Sequence, residues 1–206
     1  MDAHAALERL GGTASAKQLL RLTTRRRLRS AVRAGRVEQR TRGRYALPTA
    51  SDARKAATTL TAVVCLRSAA AHHGWELKTQ PSKPEVMVRR GRKVSVERRV
   101  GLSVHWANLA EDQIEAGVTT PLRTIVDCAR RLPFDEALAI ADSALRSGAV
   151  TRADLDAIDV RGAGADAVRR VLAYADKRSA NPFESVLRAL CIEAGLVVEP
   201  QAALDL

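Results

Sequence analysis

Between Thr24 and Gly35 the residue pattern spells an amphipathic helix, and that stretch limits what its surroundings can fold into. At ~100° per residue, Leu28, Ala31 and Val32 fall on one side while Arg25, Arg26, Arg29 and Arg33 fall on the other. Thr23 or Thr24 supplies the N-cap, and Gly35 the left-handed position past the last turn. Beyond it, Arg36–Arg40 and Arg44–Leu47 alternate as two strands around a Thr41-Arg42-Gly43 turn. Val37, Tyr45 and Leu47 then point inward, and Arg40, Arg42 and Arg44 gather at the tip. Upstream, Ala3, Ala6, Leu7 and Leu10 recur at helical spacing up to Gly11-Gly12, and Ser15 opens a second short helix carrying Leu19, Leu20 and Leu22. Helix, helix, basic helix and basic hairpin is the order of a winged helix-turn-helix.

The charge follows the same boundary. Of a formal net charge of +11, residues 1–48 hold 12 basic and 3 acidic groups, whereas residues 101–206 hold 11 basic and 16 acidic. Such asymmetry is the footprint of a polyanion-binding head on a body of ordinary charge. Each arginine carries a permanent fork that fits a phosphate or the O6/N7 edge of guanine, and a helix fits the major groove. A solvated basic face is the plainer alternative. Duplex DNA is favoured over RNA, because Tyr45 is the head's one aromatic and reads as core, leaving no platform for stacked single-stranded bases. A hydrophobic share of 46% in 206 residues supports one large core or several small ones. No apolar run approaches the ~18 residues of a membrane span. With no export leader at the N-terminus and three widely spaced cysteines, a reducing cytoplasm is the expected location.

After a short linker from Pro48 to about Ala53 comes an apolar, β-branched run from Ala56 to Val64. A short helix stopped by Gly74 follows, then strands at Val86–Val88 and Leu102–Trp106 with a basic stretch between them that has room for a third. Helices are expected from Thr120 to Leu132, from Pro133 to Arg146, after the Thr151–Asp154 capping box, from Ala165 to Ala175 and from Pro182 to Ala194. The second basic run, Arg89-Arg90-Gly91-Arg92-Lys93 with Arg98-Arg99, reads equally well as more phosphate-contacting surface or as a solvated hairpin tip. Adjacent His72 and His73 cannot converge on one ion from a helix, and no His or Cys stands at zinc-site spacing. Cys65, Cys128 and Cys191 read as buried thiols. Asp127, Asp142, Asp154 and Asp176 read as solvated or capping groups with no motif that pairs them. Neither metal nor cofactor is expected.

Residues 2–48, through the Arg42-Gly-Arg-Tyr-Ala-Leu-Pro48 hairpin end, resemble the winged-helix N-terminal domain of AbiEi-type antitoxins of type IV toxin–antitoxin systems, common in actinobacteria. Ser68-Ala-Ala-Ala-His-His-Gly74, Val118-Thr-Thr-Pro-Leu-Arg-Thr-Ile-Val-Asp127 and Ala141-Asp-Ser-Ala-Leu145 resemble that family's central part. Residues 176–201, from Asp176-Lys-Arg-Ser-Ala-Asn-Pro-Phe-Glu184 to Glu199-Pro-Gln201, are similar to the opening of a very-short-patch-repair endonuclease domain. In that fold a helix glutamate, here Glu184, precedes strands bearing the other metal ligands. The sequence stops at Leu206 before such strands, and Asp205 comes too early to be the missing aspartate. The resemblance therefore implies a truncated, inactive module with Glu184 as a vestige.

The expectation is an α+β chain: a winged helix-turn-helix over 1–48, an AbiEi-like α/β middle over 54–175, and helices of an incomplete nuclease-like module over 176–206. Its expected function is a DNA-binding regulator that represses its own operon, not an enzyme. Thr24, Arg25, Arg26, Arg29, Arg33, Arg40, Arg42 and Arg44 would face double-stranded DNA at its own promoter, and a cognate nucleotidyltransferase-like toxin is the implied partner; no membrane is involved. The alternatives are a metal-dependent endonuclease-like protein whose catalytic half is missing, and a toxin-binding interaction module.

Overall fold

Asp2 opens α1 (Ala3–Arg9) by accepting the His4 N–H at 3.1 Å. In the computed structural model, which describes residues 1–201, two left-handed glycines then turn the chain into β1 (Thr13–Ser15). Ser15 and Gln18 form a reciprocal capping box that starts α2 (Ala16–Leu19). Thr24 caps α3 (Arg25–Arg33) by accepting the Arg27 N–H at 3.3 Å, and Gly35 at φ 69° ends it. The hairpin follows as β2 (Glu38–Thr41) and β3 (Arg44–Ala46), with Gly43 left-handed at the turn. The three strands form an antiparallel sheet in the order β1-β3-β2, with Thr13 opposite Ala46 and a bulge at Arg40. Leu7, Leu19, Leu28, Ala31, Val37 and Leu47 fill the core beneath it, and Tyr45 packs against that core half-buried.

The expected linker runs directly into α4 (Asp52–Leu60), capped by Ser51, which packs on all three strands of this sheet. From its first turn Arg54 reaches back, almost wholly buried, and donates to Thr13 Oγ1 at 3.1 Å and to the Ala116 carbonyl at 2.9 Å. Gly11 lies against this arginine. A Cβ there would stand 3.0 Å from the guanidinium, on a backbone at φ 77°. Gly11→Ala is expected to destabilise the protein by about 1–2 kcal/mol through the left-handed backbone alone, seen as a lower urea midpoint; an unmoved midpoint would contradict a left-handed backbone at Gly11.

A second sheet runs β6-β5-β4-β8-β7. Its strands are β4 (Val63–Val64), β5 (Glu85–Val88), β6 (Ser103–Trp106), β7 (Ile114–Glu115) and β8 (Val118–Thr119). β4 pairs antiparallel with β5 and parallel with β8, and β5 pairs parallel with β6. Because β5 and β6 run parallel, the basic stretch between them is a crossover and not a hairpin tip, and where a further strand had room it forms the helical turn α6 (Val96–Arg99).

The remaining helices are α5 (Leu66–His72), α7 (Pro121–Arg131), α8 (Phe134–Arg146), α9 (Arg152–Asp156), α10 (Ala165–Tyr174) and α11 (Pro182–Glu193). Each begins or ends within a residue or two of its expected limits, and Thr151 with Asp154 forms the expected capping box. α8 is buried continuously from Ala137 to Leu145, with α7, α10 and α11 packed around it. Packing groups the described chain into two units, Met1–Val64 with Lys83–Val118, and Cys65–Ser82 with the residues from Thr119 onward. The stretch 54–175 thus contributes to both units, and α11 joins the second. Asp205 lies outside the described residues.

Two aspartates depart from the solvated or capping roles expected of them. Asp127 and Asp142 are buried, the first paired with Arg123 Nε at 2.8 Å and the second with Arg188 Nη1 at 2.8 Å. Asp142 also accepts the Asp176 N–H at 2.7 Å. Burial pushes the Asp142 carboxyl above its ordinary range, against the pull of that N–H and of Arg188. Of the cysteines, Cys65 and Cys128 are buried and Cys191 is half-exposed on α11.

Candidate nucleic-acid interface

Packing fixes how α3 presents its charge. Leu28 and Ala31 are held in the core, so Arg25, Arg26, Arg29 and Arg33 all stand exposed on the opposite side. Arg25, Arg29 and Arg33 border a groove of about 610 Å³, with Leu20 from the end of α2 on one flank and Tyr45 of β3 on the other. Arg42 is exposed at the hairpin turn, and Arg44 is half-buried beside it. Among the described residues none forms an ion pair or hydrogen bond with the guanidinium of Arg25, Arg26, Arg29, Arg33, Arg42 or Arg44.

The arrangement works against the stability of its own helix. Like charges at i, i+3 and i, i+4, such as Arg26/Arg29, Arg25/Arg29 and Arg29/Arg33, cost about 0.2–0.5 kcal/mol each. The first turn carries Arg25, Arg26 and Arg27 and no acid, facing the positive end of the helix dipole, where cations are unfavourable. A polyanion along this face removes both penalties together.

Other candidates are committed elsewhere. Arg40 pairs with Glu38 at 3.0 Å, and Lys55 lies 3.7 Å from the same carboxylate, so Arg40 brings less uncompensated charge than its neighbours. Thr24 spends its hydroxyl oxygen as the helix cap. Arg27, outside the expected face, donates to the Met1 carbonyl at 3.2 Å. In the second basic run, Arg92 donates to the carbonyls of Leu60 and, at 2.8 Å, Thr61, while Arg98 donates to that of Thr59 at 3.1 Å. The left-handed cap at Thr61 closes back on Ala57 and Thr58, and these two arginines satisfy the carbonyls of Thr59, Leu60 and Thr61 at the same end of α4. Arg99 stacks over Trp106 at 5.9 Å, and Arg89, Arg90 and Lys93 are exposed.

Glu184 accepts the Ala180 N–H at 2.8 Å and the Gln201 side-chain amide at 2.9 Å. The Ala180 N–H holds its carboxyl below the ordinary carboxylate range. Among the described residues no group of three or more His, Cys, Asp or Glu is placed to hold a metal ion. Nor is any helix among them long and apolar enough to cross a membrane.

The segments that carry the family resemblance in the middle of the chain interlock in the second unit. His73, at the end of α5, places Nε2 2.9 Å from the Thr119 carbonyl, and Thr124 donates to the same oxygen at 3.1 Å. Ser143 of α8 accepts the Glu76 N–H at 2.9 Å, and Asp142 beside it takes the Arg188 pair. Polar residues of all three segments thus tie helices together.

Residues 62–173, more than half of the chain, match the family described as AbiEi antitoxin C-terminal domain. The chain belongs to the AbiEi antitoxin C-terminal domain family. The AbiEi match runs from the second sheet to the end of α10 and takes in all three interlocking segments; the arginine face of α3 lies outside it. Two relatives from Mycobacterium tuberculosis, uncharacterized protein MT2308 of strain CDC 1551 / Oshkosh and uncharacterized protein Rv2248 of strain ATCC 25618 / H37Rv, are each 36% identical over 140 residues. The alignment covers 66% of this chain and 50% of each relative, so the chain spans about half the length of the curated proteins it matches. Among solved structures, the RV2827C protein of Mycobacterium tuberculosis aligns with a TM-score of 0.43 and 15% identity over 95% of this chain and 80% of that one.

Proposed function

We propose that this AbiEi-family protein is a DNA-binding regulator of the antitoxin type, whose residues 1–48 act as a winged helix-turn-helix on its own promoter. The observation that carries the reading is the row of exposed, uncommitted arginines on α3 beside Arg42 and Arg44 of the hairpin. α3 enters the major groove, and the wing sets Arg42 and Arg44 against the flanking backbone or minor groove, with Arg40 contributing less because of Glu38. Thr24 serves this interface by fixing the first turn of the reading helix. The family match supports an antitoxin role opposite a cognate toxin, for which the resemblance implies a nucleotidyltransferase-like protein. Glu184, in the first turn of α11 and bonded to the Ala180 N–H ahead of the Asn181 cap, takes a structural task in this reading.

The test is a mobility shift on the protein's own promoter with the Arg29→Ala/Arg33→Ala double variant. Both side chains are exposed, so folding should be retained, which circular dichroism checks. Most duplex binding is expected to disappear. An unchanged shift by a folded double variant removes α3 from the interface.

A further inference from the structure

Arg25, Arg29 and Arg33 do more than supply charge if their spacing is compared with that of stacked base pairs. They stand at i, i+4 and i+8, so their Cα atoms rise along α3 in steps of ~6 Å and span ~12 Å. A zinc-finger helix, which enters the major groove at an angle, contacts successive base pairs through residues three or four apart, and α3 is read here in that tilted pose. All three border the same groove, whereas Arg26 does not. No acidic side chain lines that groove, and its side-chain acceptors are the neutral Gln39 amide and Tyr45 hydroxyl, so the charged groups that meet the bases are donors. Three uncommitted guanidinium forks in a row therefore meet the base edges, and the bidentate match to a guanidinium in the major groove is the O6/N7 edge of guanine.

We infer that Arg25, Arg29 and Arg33 form a specificity row that selects duplexes with adjacent guanines on one strand. The inference rests on the DNA-binding reading above and goes beyond it, since phosphate contacts alone would hold the same protein on any sequence. In this arrangement Arg26 and Arg42 supply positioning contacts to the backbone. Leu20, Val32 and Tyr45 line the groove beside the row, and their apolar surface lowers the water content around the arginine–guanine bonds.

Selection from a pool of randomised duplexes, using the full chain, is expected to enrich sites with two or three neighbouring guanines. Replacing one such guanine by 7-deazaguanine removes the N7 acceptor and leaves every phosphate in place. Since O6 stays, about half of the bidentate pair is lost, and affinity should fall by roughly 2- to 13-fold per essential guanine. Arg29→Lys keeps the charge but loses the fork. It should therefore narrow the preference for guanine at the one position that Arg29 faces, and leave the preference at the positions read by Arg25 and Arg33. Enriched sites without neighbouring guanines, or indifference to 7-deazaguanine, would overturn the specificity row while leaving DNA binding intact. No shift on any duplex at low salt would instead overturn the DNA-binding reading itself, and the row with it.

Discussion

On a duplex of arbitrary sequence, raising the salt from about 50 to about 200 mM should weaken binding by roughly a thousandfold or more. Without a matching site the six uncommitted arginines of α3 and the hairpin have only phosphates to meet. Neutralising about six phosphates releases their condensed counterions, which gives a log–log slope near −5. A fourfold rise in salt on that slope is a loss of about three orders of magnitude, and more if Arg89, Arg90 and Lys93 also reach the backbone. Binding flat across this range, measured by titrated mobility shift or anisotropy, would refute an interface built on these side chains.

The largest effect on stability is expected inside the helical unit. Arg188 of α11 is 6% exposed and Asp142 of α8 is fully buried, with their charges 2.8 Å apart. Arg188 also donates to Ser179 Oγ and to the Tyr174 carbonyl. Arg188→Met leaves the carboxylate buried without its cation, and such a loss costs about 3–5 kcal/mol. Removing both charges should recover much of that, because an apolar pair of similar volume avoids the desolvation cost. A chemical melt of Arg188→Met and of Asp142→Leu/Arg188→Met tests this. A single variant as stable as the parent would mean that the pair does not hold α11 against α8.

What was legible in the sequence follows from where each signal is stored. α3 and its hairpin were readable because every cue is local: the Thr24 cap, the apolar side at Leu28 and Ala31, the left-handed Gly35 and the short turn at Gly43. β1 was not, since three residues cannot show an alternation, and Thr13–Ser15 becomes a strand only by pairing with β3. α4 was hidden by threonines and a short span, and its partner is the sheet of the head. The burial of Asp142 was unreadable because Arg188 lies 46 residues away. Likewise Arg92 and Arg98 looked like free surface charge, since the groups they satisfy are main-chain carbonyls, which leave no trace in composition. The exposure of Arg25, Arg26, Arg29 and Arg33 on one side of α3 was legible, and the pairing of Arg40 required seeing Glu38 beside it.

The close packing of α4 and Arg54 on the first sheet bears on how such a head can be exchanged between relatives. A fragment cut after Pro48 would leave behind the helix that covers its strands and the arginine that ties Thr13 to the Ala116 turn. The AbiEi match, beginning at residue 62, starts inside the same compact unit that contains the head. Changing what α3 presents on this scaffold is therefore better done by replacing its exposed side chains one by one. The core beneath them, centred on Leu28 and Ala31, would then stay unchanged through every such replacement.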